Sequence, residues 1–252
     1  MKTFVIDNKI FNVIDEKNYK FHYMILERHN KLYFLKENIL SNKSYEHAIN
    51  NEIFILSLLK NKHVSNIVAY KKNKYILYDY INGVTLNKIN NFSVKSVLKI
   101  ILCTIELLIE LKSNGYVHCD IKRSNIMIDH DNIYFIDFGS CTLINEKVLF
   151  ASLNCSSPEL LSTKIAKYSN DIYSLGILMY ELLTNVTLYK EVTYNEILNQ
   201  KKNKLKDVNK IRNDVSIELN KIIMNCLSLN ENERYTLEQL KDVLNVIYLN
   251  EK

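Results

Sequence analysis

The sequence predicts an α+β fold with two lobes: a small, β-rich N-terminal lobe that carries one helix, and a larger, mainly helical C-terminal lobe. Short segments rich in β-branched and aromatic residues fill the first 40 residues. One segment with helical periodicity follows, and long apolar helices dominate from residue 93 onward. We expect a single domain over residues 1–252, with the N-lobe at about 1–80, a hinge at about 79–86 and the C-lobe at about 87–252.

The N-lobe elements follow from residue type and spacing. The segments KTFVIDNKIFNVID, FHYMILER and KLYFLKE favour strands and are separated by Asn and Lys turn residues. From Ser44 to Lys60 the pattern becomes helical, with Ile49, Ile53, Leu56 and Leu59 on one face. The segment NIVAYKKNKYILYDYI then predicts two more strands.

The C-lobe begins with a long helix that carries a continuous apolar stripe. We place it at Ser93 to Lys112, with Ser93 able to cap its start and Gly115 just past its end. The segment from Ser169 to Leu183 is apolar almost all round, which predicts a buried helix. Two further helices are expected between Ile217 and Tyr248.

Composition and charge narrow the class of protein. A hydrophobic content of 47% and a charged content of 24% are ordinary for a globular domain. The net charge of +5 is too small to predict a specific nucleic acid partner, and the basic run Gln200–Lys210 is interpreted as a solvated loop or helix. Five cysteines without a CxxC pair predict neither a zinc site nor a disulfide framework.

Location follows from the same features. The cysteine pattern favours a reducing compartment, and the N-terminus has no signal-peptide core. The longest apolar runs fall short of the roughly 20 residues that a membrane span needs, so no membrane partner is expected. We therefore expect a cytoplasmic protein, in the host cytosol if the source is a virus or parasite.

The stretch GYVHCDIKRSNIMIDHDNIYFIDFGS, residues 115–140, concentrates the groups that could carry chemistry. Asp120, Lys122 and Asn125 lie on a loop between a helix end and the strand IMI. A carboxylate there can orient a hydroxyl, and a lysine can neutralise a transferring phosphate. An amide oxygen is a hard ligand suited to Mg²⁺, and Asp137, twelve residues past Asn125, could bind the same ion.

These motifs resemble those of the protein kinase family. HCDIKRSN is similar to the catalytic loop and DFG to the magnesium motif. YFLK resembles the family's strand that carries the phosphate-binding lysine, here Lys36, and Glu52 resembles the ion-pair partner of that lysine. SPE and NERYT resemble the two segments whose charged residues pair, here Glu159 and Arg234. The four glycines and the only proline all fall at such motifs, and the resemblance covers about residues 10–245.

The resemblance implies a protein-kinase-like fold and transfer of the γ-phosphate of ATP, with Mg²⁺, to serine or threonine hydroxyls of a protein substrate. The implied catalytic residues are Asp120, Lys122 and Asn125. The implied nucleotide-binding residues are Lys36, Glu52, Asp79, Ile81, Phe34, Met127 and Asp137. Asn125 and Asp137 would hold Mg²⁺, Tyr78 would be the bulky pocket wall, and Lys122 with Ser152 resembles the serine/threonine branch.

Three positions depart from the family pattern. Residues 14–21, IDEKNYKF, stand where a glycine-rich loop is expected and contain no glycine, which is what lets backbone N–H groups approach phosphates closely. Phe34 stands where a small alanine is usual, so it could stack on adenine or fill its pocket. Cys119 stands where an arginine is common, so no cation there would order a phosphorylated loop.

Two alternatives remain beside an active protein kinase. The missing glycines and Phe34 favour a pseudokinase, a binding or scaffold module on the same fold. A small-molecule kinase shares the H-x-D-x-x-x-x-N loop, but Lys122, SPE and the Asp171 and Arg234 landmarks count against it. Of the side chains near the catalytic loop, His118 and Asp171 are expected to be structural, and Cys119, Cys141 and Cys155 to be inert thiols.

Overall fold

The computed structural model describes residues 2–40, 42–190 and 193–251. The chain divides into two compact units: the first comprises residues up to Gly83 together with Asp129–Gly139, and the second comprises Val84–Ile128 and the residues from Ser140 onward. Strands dominate the first unit and helices the second, which confirms the predicted α+β class. In the ranges described, no helix is both long and apolar enough to cross a membrane.

The first unit is built on a six-stranded antiparallel sheet whose strands, numbered along the chain, lie in the order one, two, three, four, six, five. Two of its hairpins have two-residue loops, Asp7–Asn8 and His29–Asn30, in which both residues have positive φ. This geometry matches the right-handed twist of paired strands, and Asn tolerates it better than most residues. The strands are β1 Thr3–Ile6, β2 Lys9–Asn18, β3 His22–Arg28, β4 Lys31–Glu37, β5 Ile67–Lys71 and β6 Tyr75–Asp79.

The two faces of this sheet have different roles. Alternation along each strand sends one set of side chains into an apolar core and the other set to the opposite face. The core set is Ile6, Phe11, Met24, Leu26, Leu35 and Leu77. The opposite face carries Tyr23, Phe34 and Lys36, with Tyr23 and Lys36 directly paired across β3 and β4.

The single helix of the first unit, α1, runs from Lys43 to Leu58. The Asn42 side chain caps it by accepting a hydrogen bond from the Ser44 N–H. Ile49 and Ile53 are buried as predicted, and so is Glu52, which faces the sheet. The helix begins one residue before the predicted range and ends two residues before its end.

The second unit is mainly helical, and its longest helices match the predicted ones. Ser93 caps the helix that follows it through the Ser96 N–H, and Gly115 has a φ of +82° just beyond that helix. Its helices are α2 Val94–Ser113, α3 Pro158–Thr163, α4 Tyr168–Thr184, α5 Tyr194–Lys202, α6 Ile217–Cys226 and α7 Leu237–Asn250. The remaining short strands are β7 Val84–Thr85, β8 Tyr116–Val117, β9 Ile126–Asp129 and β11 Thr142–Leu143, together with β10 Asn132–Phe135, which belongs to the first unit.

Helix α4 is buried along almost its whole length, as its apolar sequence predicts. Gly176 lies where α4 meets the end of α6. A Cβ at this position would lie 2.9 Å from both the Cβ of Cys226 and the Cγ of Leu227. The glycine is therefore required by the close approach of the two chain segments and not by its backbone conformation.

Candidate active site

Lys36 is the centre of a buried charge cluster in the first unit. Its Nζ lies 2.6 Å from Glu52 Oε2 and 3.0 Å from Asp137 Oδ1. Burial alone would lower the pKa of Lys36, but the carboxylates of Asp137 and Glu52 outweigh it and raise the pKa well above its usual value. Lys36 is therefore a fixed positive charge. Its predicted contact with Glu52 is present in the structure, while its role toward a nucleotide stays a prediction.

Asp137 is positioned by helix α1. Asp137 itself has a φ of +67°. A Cβ on Gly139 would lie 3.2 Å from the Cβ of Ala48, so only glycine fits against the helix there without displacing it. The Asn51 amide donates to the carbonyls of Phe138 and Gly139 at 3.4 and 3.2 Å. These contacts leave the Asp137 carboxylate on the same side as Lys36, with its side chain 45% exposed.

Aromatic rings surround Lys36 on this face of the sheet. Phe34 stacks on Tyr23 with ring centroids 5.7 Å apart, and it also contacts Tyr78 at 6.3 Å. The buried ring of Phe21 lies 4.6 Å from the Lys36 ammonium, a cation–π contact. Phe21 and Tyr23 have no counterpart among the predicted site residues, although Phe21 ends the glycine-free segment and Tyr23 lies two residues beyond it.

Two long side chains near the centre of residues 14–21, Glu16 and Tyr19, lie away from Lys36 or face solvent. Glu16 forms ion pairs with Lys2 and His22. The hydrogen bond from Lys2 is the main cause of the lowered pKa of Glu16. Tyr19 is 78% exposed. The rings nearest the Lys36 ammonium thus come from the end of this segment and from the strands, and not from its centre.

In the second unit, Asp120, Lys122 and Asn125 form one hydrogen-bonded group. Lys122 Nζ lies 2.7 Å from Asp120 Oδ2 and 2.7 Å from the hydroxyl of Ser152. The Asn125 amide nitrogen donates to both the carbonyl oxygen and Oδ2 of Asp120, each at 3.0 Å. This fixes the orientation of the Asn125 amide and directs its Oδ1 away from Asp120. The three residues predicted as catalytic are therefore brought together.

The carboxylate of Asp171 on α4 binds the backbone of this loop. Its carboxylate accepts hydrogen bonds from the backbone N–H groups of His118 and Cys119 at 2.8 and 2.9 Å. Cys119 has a φ of +65°, an unfavourable conformation for a residue with a side chain. Burial raises the pKa of Asp171 to about 7, although the two N–H donors lower it. The structural role predicted for Asp171 is confirmed.

The segment Ser152–Glu159, called here the acceptor segment, is tied to the helical core at its C-terminal end. Arg234 makes two hydrogen bonds to the Glu159 carboxylate, at 2.6 and 3.1 Å, as the sequence predicted. Burial opposes ionisation of Glu159, but Arg234 lowers its pKa below the usual value. The guanidinium side chain of Arg234 is completely buried, so this pair is a structural anchor.

The cysteines near this loop are buried. Cys155 Sγ lies 3.6 Å from Asp120 Oδ1. Burial, and next the Asp120 carboxylate, raise the pKa of the Cys155 thiol, and burial raises that of Cys119 well above its usual value. Because the thiolate is the reactive form, both are unreactive thiols near neutral pH, as expected.

The other residues predicted to contact the nucleotide lie at strand ends. The Asp79 N–H donates to the Asn66 carbonyl at 3.1 Å, and the Asp79 carbonyl accepts from the Ser65 hydroxyl at 2.9 Å. A carbonyl oxygen has two lone pairs, so this one keeps acceptor capacity. Ile81 follows β6, and Met127 is half-buried on β9, paired with Thr85. Their contacts with a nucleotide stay predictions.

Comparison with known proteins identifies the family. A model described as "Protein kinase domain" matches residues 22–244. A protein of Acanthamoeba polyphaga mimivirus, provisionally named a serine/threonine-protein kinase, is 32% identical over 227 residues, which are 81% of this chain and 80% of that protein. A Clostridium acetobutylicum protein with a similarly provisional name is 29% identical over 247 residues, 90% of this chain.

A further relative is the serine/threonine-protein kinase PrkC of Bacillus subtilis, 35% identical over 121 residues, which are 44% of this chain and 19% of PrkC. The chain spans only 38% of the clostridial protein's length. The fold and the charged groups around Lys36 and Asp120 agree with this match to a protein kinase domain. The chain belongs to the eukaryotic-type serine/threonine protein kinase family.

Proposed function

We propose that this chain is a catalytically active serine/threonine kinase that transfers the γ-phosphate of ATP, with Mg²⁺, to hydroxyl groups of protein substrates. The observation that carries the proposal is the intact set of charged groups. Lys36 is paired with both Glu52 and Asp137, and Asp120 is paired with Lys122 and Asn125. Phosphoryl transfer requires mainly positioning and charge stabilisation, and these groups supply both.

The acceptor hydroxyl is assigned to Asp120. Oδ2 of Asp120 already accepts hydrogen bonds from Lys122 and Asn125, so Oδ1 is the oxygen left to accept the hydroxyl proton. The Cys155 thiol, which is only a weak donor, lies 3.6 Å from this Oδ1. Lys122 lies between Asp120 and Ser152, where its charge stabilises a phosphoryl group during transfer.

Each of the two residues proposed to hold Mg²⁺, Asn125 in the second unit and Asp137 in the first, has by itself donor atoms suited to that ion. Asn125 keeps its Oδ1 directed away from Asp120 because its amide nitrogen is occupied, and the Asp137 carboxylate is partly exposed. Both are hard oxygen ligands of the kind that Mg²⁺ prefers. The ion would neutralise charge on the phosphates, and Lys36 would bind the phosphates directly as a positive charge held by Glu52.

The residues expected to surround the nucleotide phosphates differ from the family pattern in this domain. Residues 14–21 offer no glycine for close approach of backbone N–H groups to phosphates, and the rings of Phe21, Tyr23 and Phe34 lie around Lys36. We expect weak binding of ATP that depends on Lys36 and the ion. The same rings are the specific observation that favours the second candidate, a pseudokinase that serves as a binding or scaffold module.

The acceptors proposed are proteins, and the proposed location is the cytoplasm. Cys119, Cys155 and Cys226 form no disulfide, which suits a reducing compartment. Lys122 and its contact with the Ser152 hydroxyl support the protein-directed, serine/threonine type of transfer over a small-molecule kinase.

The test is transfer of labelled γ-phosphate from ATP to casein and to the protein itself, with Mg²⁺ and with Mn²⁺. Asp120→Asn keeps the shape of the side chain and should lower the rate by about 10²- to 10⁴-fold. Asp242→Asn, an exposed position on α7, is the matched control and should leave it unchanged. Thermal stabilisation by ATP and Mg²⁺ without transfer would favour a nucleotide-binding pseudokinase, and the absence of both would favour a scaffold.

A further inference from the structure

Lys201 does not fit the solvated surface predicted for its sequence run. It lies in the basic run Gln200–Lys210, yet only 2% of it is exposed, whereas its neighbour Lys202 is exposed. Burial of a lysine is costly unless the amine finds partners. The contacts of this side chain, which lies in the last turn of α5, explain why it is buried despite that cost.

Those contacts lead to the acceptor segment. Lys201 Nζ donates a hydrogen bond of 3.0 Å to the backbone carbonyl of Asn154. The same Nζ lies 3.8 Å from the ring centroid of Tyr189 and 5.3 Å from that of Tyr173. The two tyrosine hydroxyls are hydrogen-bonded to each other at 2.9 Å, so the rings form a rigid wall for the amine. Burial lowers the pKa of Lys201 to about 7, and the more distant acids Glu181 and Glu159 offset this only in part.

The acceptor segment is thus held at two points. Arg234 binds Glu159 at its C-terminal end, and Lys201 binds Asn154 nearer its start. Both side chains lie against the ring of Tyr173, the guanidinium of Arg234 at 4.8 Å and the amine of Lys201 at 5.3 Å. The Arg234 anchor was expected from the sequence, while the Lys201 anchor is a property of this chain's own packing.

The residues on either side of Asn154 touch the catalytic loop. The Ser152 hydroxyl accepts from Lys122 at 2.7 Å, and Cys155 Sγ lies 3.6 Å from Asp120 Oδ1. The Cys155 carbonyl is fixed by the Ser174 hydroxyl at 2.8 Å. A shift of Asn154 would therefore move the groups that border the predicted site of the acceptor hydroxyl, while Lys36 and Glu52 belong to the other unit.

We infer that Lys201 is a positioning residue that fixes the acceptor segment through the Asn154 carbonyl and so sets the binding of the protein substrate, not of ATP. This inference rests on the proposed function, because it names the residue that aligns the hydroxyl acceptor for the same transfer. Lys201 contacts the backbone and not a side chain of the segment, so it controls the position of the segment whatever side chains that segment presents.

The experiment compares Lys201→Met with Lys202→Met, a lysine one residue further along the same helix. Methionine keeps the length and the apolar contact with the tyrosine rings, so folding is retained, but it cannot donate to Asn154. We expect the KM for casein to rise by about 5- to 30-fold in Lys201→Met, which corresponds to one lost buried hydrogen bond, with an unchanged KM for ATP. Lys201→Gln, which restores a donor, should recover part of the loss, and Lys202→Met should behave as the wild type.

A second measurement does not require activity. The Ser156 N–H is bonded to the Ser152 carbonyl at 3.1 Å, and its hydrogen exchange should accelerate in Lys201→Met but not in Lys202→Met. An unchanged KM for casein, or an equal change in both KM values, would overturn the inference while leaving the kinase proposal intact. If the wild-type protein transferred no phosphate, the proposed function would be wrong. Unchanged hydrogen exchange of the Ser156 N–H in Lys201→Met would then overturn the Lys201 anchor as well.

Discussion

Lys36 of β4 and Glu52 of α1 form an ion pair of 2.6 Å in which both side chains are at least 95% buried, with 5% and 3% exposed. Buried pairs of this kind are costly to break, because the partner that remains is a charge without compensation. The pair also fixes α1 against the sheet, and α1 in turn holds the segment that carries Asp137 through Asn51. One contact therefore serves both stability and the placement of two charged groups.

Glu52→Gln should destabilise the protein by about 3 kcal/mol, since the buried Lys36 ammonium loses its buried carboxylate partner and keeps the half-exposed Asp137. Chemical denaturation should show a lower midpoint at an unchanged slope. Glu218→Gln, an exposed glutamate in the first turn of α6, is the control and should change stability by less than about 1 kcal/mol. Equal effects of the two substitutions would contradict a structural role for the Lys36–Glu52 pair.

Phe34→Ala should strengthen the binding of ATP with Mg²⁺ by about tenfold, the scale of a modest change in pocket volume. Phe34 stacks on Tyr23 and contacts Tyr78, so its removal opens space on the face that carries Lys36. Titration calorimetry gives the dissociation constant directly, with Tyr19→Ala, an exposed ring, as the control. Weaker binding in Phe34→Ala would mean that the ring stacks on adenine instead of occupying its place.

Gly176→Ala should destabilise the second unit although alanine favours helices. The gain in helix propensity is about 1 kcal/mol, whereas the new Cβ would lie 2.9 Å from Cys226 and Leu227 and overpacking costs about 1–3 kcal/mol. The thermal midpoint should therefore fall. The loss should be smaller when Leu227 is already alanine, because one of the two clashes is then removed; strict additivity would argue against the clash.

The stability of the protein should rise with pH between about 7 and 10.5 in a way that depends on Lys201. Its pKa of about 7 in the folded state lies below its ordinary value of 10.5, so the unfolded chain binds a proton that the folded chain does not. The rise is at most about 1.4 kcal/mol per pH unit. The titratable and charged groups that influence Lys201 are Cys155, Glu181, Glu159, Tyr173 and Tyr189.

The measurement is the free energy of unfolding at pH 7, 8 and 9 for the wild type and for Lys201→Met. The difference between the two proteins should move in favour of the wild type as the pH rises, because methionine does not titrate. Parallel curves would show that Lys201 keeps an ordinary pKa and is more hydrated than its burial indicates.

Kinase activity should not require phosphorylation of the acceptor segment or the residues before it. Cys119 replaces the cation that often orders a phosphorylated loop, and its own N–H is already fixed by Asp171. Treatment of the purified protein with a phosphatase should leave the rate of transfer to casein unchanged. Loss of activity after treatment, restored by preincubation with ATP, would show that another cation in the chain takes that role.

The sequence predicted the elements and contacts that depend on local pattern. Periodicity located α1, α2 and α4 to within a few residues, and motif spacing paired Lys36 with Glu52 and Glu159 with Arg234. What it missed depends on packing between distant segments. The basic run that contains Lys201 has the composition of a solvated surface, and only the position of α5 against Tyr173 and Tyr189 buries one of its lysines.

The aromatic cluster was missed for a similar reason. Phe34 was singled out because it replaces a small residue, but its partner Tyr23 lies on the neighbouring strand, and the pairing of the two strands decides which residues share a face. Asn51 likewise carries no signal in the sequence, since an asparagine on a helix is ordinary until its amide is seen to bind two carbonyls.

The hairpin loops Asp7–Asn8 and His29–Asn30 change how the glycine-free segment 14–21 should be understood. This chain adopts left-handed backbone conformations readily without glycine, and asparagine is the residue that it uses most often for them. If the segment were an ordinary phosphate loop with its glycines exchanged for asparagines, positive φ values would mark the exchanged positions. None of residues 14–21 has one. The segment therefore has no left-handed positions at which glycine would be favoured, so introducing glycines alone should not create a phosphate loop there.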